Sequence, residues 1–456
     1  MKGTYFEGTF TSRVIKPNMS AKYKIFVPEC EGELGLVFSH DGFNVQAAEA
    51  MQALCNEGKM PPCVFIGVWP ATLEATLEGG FDRWMRMDNY DIFDSAYPRF
   101  IVDELIPFVK KEHGFNISPS PDMHLVLGGS SGGISSFNVA WTCPDYFHRV
   151  YMSSPSFLSM SNGREMPALI RKCETLPLRV WVEYSENEPD DYFGSSYAAA
   201  IDSIRALAFA GYEMDTRYFA GEGHCSRYHS TEAFTEAFEF LWENWDSEPI
   251  KAPRNSKRFE AIFASGSEWM SVDNAKTTDK LCANCAKLGA AYIAEGNKIY
   301  FNNNGEKALA ATLEREISVI RISSDGWRLY VGGRDMPCVY AMNIMPDGSL
   351  CGRYIHASIH RYTDFAYAGV TDMCVGEHDR IYAATELGVQ CIRPFGLIDA
   401  IAPLPRRELP ESISIEISDG KKRLVVTAGD KAYVRIITEV EGELKENEPK
   451  PNSYYD

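Results

Sequence analysis

The chain has 456 residues, too many for one ordinary hydrophobic core, so two or three domains are expected. Its 45% hydrophobic and 24% charged residues are those of a soluble globular protein. A net charge of −18 leaves nothing to offset phosphate repulsion and argues against a nucleic-acid partner. No apolar run is long enough for a signal peptide or a membrane span, so a cytoplasmic protein with reduced thiols and no membrane partner is expected.

From residue 1 to about 248 short apolar strands alternate with helical patterns. "LGLVFS" (34–39) leads through the turn "HDGFN" into the helix "VQAAEAMQALCNEG", which ends at Gly58. "CVFIGV" (63–68) follows, and "FIVDELIPFVKKEHG" (100–114) sets Ile101, Leu105, Phe108 and Val109 along one helical face with Gly114 as its stop. "HLVL" (124–127) runs into "GGSSGG", and "LRVWVEY" (178–184), "YAAAIDSIRALAFAG", "EMDTRYF" and "TEAFTEAFEFLWENW" complete the series. Such alternation predicts an α/β fold with a mostly parallel sheet covered on both faces.

The polar, proline-bearing stretch "DSEPIKAPRNSKR" (246–258) reads as a linker. The expected division is therefore a first domain over 1–248, a linker at 249–258, a second domain over 259–445 and a tail at 446–456. In the second domain "KIYFNNNGE", "WRLYVGGRD", "RIYAATELG" and "RLVVTAGDK" recur as apolar–aromatic strands followed by turns. These predict an all-β, propeller-like array of about four blades at ~45 residues each. Cys282 and Cys285 form one C-x-x-C without the second pair that a structural zinc site needs, so no metal is expected there.

The chemistry concentrates in the first half. G-x-S-x-G fits twice, once around Ser130 and once around Ser131, and glycine lies two residues to either side of the serine in both registers. A serine nucleophile needs a base, and the base needs an orienting acid. The acidic cluster "SENEPDD" (185–191) and then "GEGHCSRYH" (221–229) each follow a predicted strand, giving the chain order serine, acid, histidine of an α/β-hydrolase.

With "VFSHDGF" (37–43), "GGSSGGISSF" (128–137), "EYSENEP" (183–189) and "AGEGH" (220–224), residues 1–248 resemble the enterochelin esterase / feruloyl esterase family of α/β-hydrolases. That family's G-x-S-x-G-G is met only in the register of Gly128, Ser130, Gly132 and Gly133, so the resemblance implies Ser130 as nucleophile. It implies Glu188 as the acid, with Glu186, Asp190 and Asp191 as neighbouring alternatives, and His224 as the base, with His229 as the runner-up. The oxyanion donors it implies are the backbone N–H of Ser131 and that of Gly42 or Phe43. Asp41 would brace that turn, His40 is expected to be a hydrogen-bonded structural residue, and "RMDNYD" (86–91) resembles a segment over the active site. His40, Asp41, Tyr90, Asp91 and His229 are thus the candidate substrate-lining residues. The implied substrates are hydroxycinnamoyl or acetyl esters of carbohydrates, with a trilactone siderophore as the alternative. No cofactor is implied.

With "SSDGWRLYVGG" (323–333), "MPDGSL" (345–350) and "GVTDMCVGEHDRIYAATELGVQ" (369–390), residues 259–445 resemble the gluconolactonase / senescence-marker propellers, which bind a divalent ion. Here the expected asparagine falls on Ser318, and the expected Asp-Gly reads Thr371-Asp372. A one-residue shift in a strand turns a side chain to the other face. The expectation is a shortened, non-catalytic propeller serving packing, dimerisation or substrate access, with a sugar lactonase as the alternative.

Overall fold

The computed structural model describes residues 2–30, 32–158, 160–273, 279–361 and 369–438. The expected end of the second domain at 445 and the tail at 446–456 lie outside them. The chain divides into two compact units: Met1–Arg171 with Thr175–Arg254, and Lys172–Glu174 with Asn255–Asp456.

The first unit opens on an antiparallel pair rather than on the expected strand–helix alternation. In β1 (Gly3–Thr11) half-buried Phe6, Gly8 and Phe10 alternate with exposed Glu7, Thr9 and Thr11, and the strand pairs along its length with β2 (Met19–Pro28), from Gly3 opposite Pro28 to Thr11 opposite Ser20. Beyond this hairpin the alternation holds. β3 (Gly35–Ser39), β4 (Cys63–Val68), β5 (His124–Gly129) and β6 (Arg149–Ser153) are buried along their whole lengths, as strands covered on both faces are. With β7 (Arg179–Asn187) and β8 (Glu213–Gly223) they form a parallel array in the order β8-β7-β6-β5-β3-β4, and β2 adds antiparallel to β4.

Three of the helices that cover the sheet start on side-chain caps. Asn44 accepts from the Ala47 amide at the head of α1 (Val45–Asn56), at 2.9 Å. The expected helix over 100–114 is two pieces: a wide π-type turn (Phe100–Leu105), then α2 (Ile106–His113), which stops at Gly114 with φ 71°. Pro107 lacks the N–H that would continue a regular ladder, so the wider turn occurs just before it. α3 (Ser131–Thr142) follows β5 directly, and α4 (Ser196–Ala210) and α5 (Thr231–Leu241) are capped by Ser195 and Ser230. Ala47, Met51 and Leu54 of α1 and Phe234, Phe238 and Leu241 of α5 pack on Val37, Phe65, Leu125, Leu127, Tyr151 and Trp181 of the strands.

The register fixes where the strands end. Ser39 lies opposite Leu127, Gly129 opposite Ser153, Ser153 opposite Glu183, and Asn187 opposite Gly223. The loops that leave β3, β5, β6, β7 and β8 therefore emerge along one edge of the sheet.

The second unit consists of four antiparallel four-stranded sheets in a propeller-like arrangement. The first strands of successive sheets in chain order are β9 (Cys282–Cys285), β10 (Val319–Ile322), β11 (Asp372–Val375) and β12 (Ser412–Ser418). Met270–Val272, from the start of the unit, completes the last sheet by pairing with Lys431–Ile437. All four first strands line a common cavity of about 410 Å³. Cys282 and Cys285 are three apart in β9 and so face opposite sides, with Cys285 buried, which does not make a shared metal site. Among the described residues no helix is long and apolar enough to cross a membrane.

Candidate active site

Ser130 sits at the junction of β5 and α3 with φ 56° and ψ −125°, a conformation that non-glycine residues rarely adopt. Close packing enforces this elbow: a Cβ on Gly128 would collide with the Gly132 carbonyl. The Ser130 amide donates to the Ser153 carbonyl at 2.8 Å, and its hydroxyl lies 3.1 Å from the Ser156 hydroxyl. Ser131 is instead the first residue of α3, buried, with its side chain turned inward. As the opening residue of a helix, its amide has no intrahelical acceptor.

Glu188 and His224 emerge from β7 and β8 at the same edge. His224 Nδ1 donates to Glu188 Oε2 at 2.5 Å. The glutamate side chain is 1% exposed, the imidazole 29%. Burial raises the Glu188 pKa, but hydrogen bonds from His224, the Ser154 hydroxyl and the Ser185 amide outweigh it, leaving the carboxyl below its ordinary value. For His224, burial opposes the imidazolium, yet Cys225 and Glu188 hold the proton and push the pKa up to about 10. The other acids of the cluster are exposed. Glu186 accepts from the Gly221 amide at 2.6 Å, and Asp191 from the Phe193 amide at 2.8 Å. His229 is exposed and touches the Tyr228 ring.

The turn after β3 corrects one expectation. The Gly42 amide donates to the Val68 carbonyl at 2.9 Å, so it is not available to an oxyanion. The Phe43 amide makes no hydrogen bond among the described residues, and of the two it alone remains a candidate donor. Asp41, with φ 59°, is clamped by Arg86 through two bonds of 2.7 and 2.9 Å, and its amide donates to the Tyr90 hydroxyl at 3.3 Å.

Three of the candidate substrate-lining residues prove to be sealed. His40 is 1% exposed and lies between the Ser135 and Ser136 hydroxyls at 3.1 and 3.0 Å, and burial lowers its pKa to about 4, which keeps it neutral. Tyr90 is fully buried against His40, the two rings 4.9 Å apart. Asp91 is 2% exposed. Burial raises its pKa to about 6, opposed by the Ser131 hydroxyl and Arg86. These side chains support the turn and the elbow from below rather than facing a substrate.

Two contacts were not anticipated at all, those of Ser154 and Ser156 in the loop after β6. The signal for them was present: "RVYMS" is a short apolar run ending in Ser-Ser-Pro-Ser, between the strand of the serine and that of the acid. In the second unit, Asp372 is fully buried. Its Oδ1 accepts from Arg321 Nη2 at 2.9 Å and its Oδ2 from the Ile413 amide at 2.9 Å, while Ser318 donates to the Gly332 and Val370 carbonyls. These residues do not fit a divalent ion, because a guanidinium already supplies the positive charge.

The family described as "Putative esterase" matches residues 16–278, more than half of the chain. Among solved structures, a ferulic acid esterase is 16% identical with a TM-score of 0.39, covering 53% of this chain and 98% of its own. The enterobactin esterase FES from Shigella flexneri, solved with 2,3-di-hydroxy-N-benzoyl-glycine, is 19% identical with a TM-score of 0.40, covering 52% of this chain and 59% of its own. The BES protein from Bacillus cereus is 16% identical with a TM-score of 0.39, covering 53% and 97%. No curated protein matches the chain. The chain belongs to the esterase family and is a carboxylic ester hydrolase.

Proposed function

We propose that the hydrolase half, residues 1–248, cleaves carboxylic esters through Ser130, His224 and Glu188, and that the propeller half is not catalytic. The observation that carries this reading is the 2.5 Å bond between the buried Glu188 and His224, at the sheet edge where the strained elbow presents Ser130. Glu188 fixes the imidazole so that Nε2 serves the nucleophile. The Ser130 hydroxyl, which rests on Ser156, turns to His224, loses its proton to Nε2 and attacks the ester carbonyl carbon. The resulting oxyanion sits on the N–H groups of Ser131 and Phe43. Collapse expels the alcohol, which takes the proton from His224. Water deprotonated by His224 then attacks the acyl-enzyme, and Ser130 recovers its proton.

The substrate class in this reading is a hydroxycinnamoyl or acetyl ester of a plant-derived carbohydrate. An acidic chain, at −18, is a poor host for a trianionic iron complex, which weighs against the trilactone siderophore alternative. The lactonase alternative lacks a metal site at Asp372, both of whose oxygens are engaged.

Hydrolysis of p-nitrophenyl acetate and methyl ferulate by wild type, Ser130→Ala and Ser131→Ala tests the proposal. Loss with Ser130→Ala alone is expected. Loss with Ser131→Ala alone would mean the other register, and loss with EDTA but with neither variant would move the chemistry to the propeller. A panel of feruloylated, acetylated and trilactone esters then ranks the substrate classes by kcat/KM.

A further inference from the structure

The loop Ser153–Ser156 belongs to none of the roles assigned above, yet it touches Ser130, Glu188 and the residue that follows His224. The Ser153 carbonyl accepts from the Ser130 amide at 2.8 Å, and the Ser156 hydroxyl is 3.1 Å from that of Ser130. Ser154, between them, is tied at three points. Its amide donates to the Glu183 carbonyl at 2.7 Å, its hydroxyl donates to Glu188 Oε1 at 2.5 Å, and the same oxygen accepts from the Cys225 amide at 3.0 Å. It is 3% exposed and its φ is 44°, a strained conformation for a residue with a side chain. Such strain persists only where the surroundings over-determine it.

A hydroxyl offers one proton and two lone pairs. Here the proton is committed to the acid, and a lone pair to the amide of the residue after His224. One oxygen atom thus joins the acid to the turn that carries the base, in addition to the Glu188–His224 bond and the pairing of β7 with β8. Without it, Glu188 Oε1 retains the Ser185 amide at 3.0 Å, and the carboxylate gains freedom to turn away from the imidazole.

We propose that Ser154 is a positioning residue of the ester-hydrolysing centre, holding Glu188 and the His224 turn in one orientation through its hydroxyl. This rests on the triad reading above. Ser154 touches neither the substrate nor the reacting atoms; it acts through the acid and the base.

The test uses the full chain with p-nitrophenyl acetate. Ser154→Gly removes the hydroxyl and suits the positive φ, so it retains the fold, and Ser154→Ala is its companion with a Cβ. The expected result is a fall in kcat of about 10- to 100-fold, the range set by one charge-assisted hydrogen bond, with KM changed by less than about two-fold. The acid limb of the pH profile should also move to lower pH, because a Glu188 free to turn away from His224 stabilises the imidazolium less. A lower thermal midpoint without these kinetic changes, or a lower kcat with the limb unmoved, would reduce Ser154 to a structural role and overturn the proposal. Ser130→Ala is measured in parallel. If it keeps wild-type activity, the triad reading fails and takes this proposal with it. If it is inactive while Ser154→Gly matches wild type, the positioning proposal alone fails.

Discussion

Asp91 ends the short helix Arg86–Tyr90 with its carboxyl buried against Ser131, and its charge is at odds with that place. Its folded pKa, about 6, lies above the ordinary 3.8, so the folded state holds a proton that the unfolded chain has released. The sign follows: the contribution is fully present below pH 3.8 and is lost as the pH rises through about 6. Asp91→Asn should therefore raise the unfolding free energy at pH 8 by an amount on the order of 3 kcal/mol and leave it unchanged at pH 3. An equal effect at both pH values would exclude titration as the cause. His224 has the opposite consequence for activity. As a base it must be neutral, and its pKa is raised to about 10, so kcat/KM should climb with pH well above the 6.5 of a free imidazole. Glu188→Gln should return that limb toward 6.5 and lower kcat by roughly 10⁴-fold, the cost of losing the orienting acid in comparable triads. Neither Tyr90 nor Asp91 could be recognised as sealed from sequence, and the structural role expected of His40 came without its partners. His40 is closed in by Ser135 and Ser136 on a helix far along the chain, and "HDGF" alone does not say which way its histidine turns.

The strand–elbow–helix was legible because everything it needs is local: an apolar run, then small residues where backbone meets backbone. Gly128→Ala tests that directly, since its Cβ would meet the Gly132 carbonyl, while Gly133→Ala meets the Gly128 oxygen and Pro155 Cα only at 3.3 Å. The first substitution should cost at least about 100-fold in kcat/KM, because a nucleophile displaced by 1 Å loses roughly that much, and the second distinctly less. Equal activities in the two variants would show that the elbow does not depend on the approach of Gly128 to Gly132. The loop after β6 was missed for the reverse reason. Its serines act through Glu188 and Cys225, whose closeness arises from the register of β6, β7 and β8 and not from spacing in the sequence. The wide turn at Phe100–Leu105 falls between these cases: Pro107 was visible, but an apolar face at helical spacing reads as one helix.

Across the molecule, the change from strand–helix alternation to repeated strand–turn units was visible as a change of period. The closure of the last blade by Met270–Val272 was not, because pairing with Lys431–Ile437 leaves no local mark. The centre of the second unit carries the prediction that separates the two halves. Arg321 donates to the carbonyls of Asp279, Lys280 and Ile320 and to Asp372, and Asp372 accepts from the Ile413 amide, so this one ion pair joins the beginnings or flanks of all four first strands. Asp372 is fully buried, and burial alone would raise its pKa; Arg321 opposes that rise. Removing the arginine leaves a buried carboxylate unpaired, a loss of about 3–5 kcal/mol, whereas removing both partners costs less. Arg321→Ala should therefore unfold the propeller at lower temperature than Arg321→Ala/Asp372→Ala, as followed by calorimetry with and without calcium. In the wild type calcium should leave the transition where it is, because the guanidinium occupies the carboxylate. A calcium-dependent rise in the wild-type midpoint would overturn this account of the centre. Ester hydrolysis at Ser130, measured below either transition, should be the same in all three proteins.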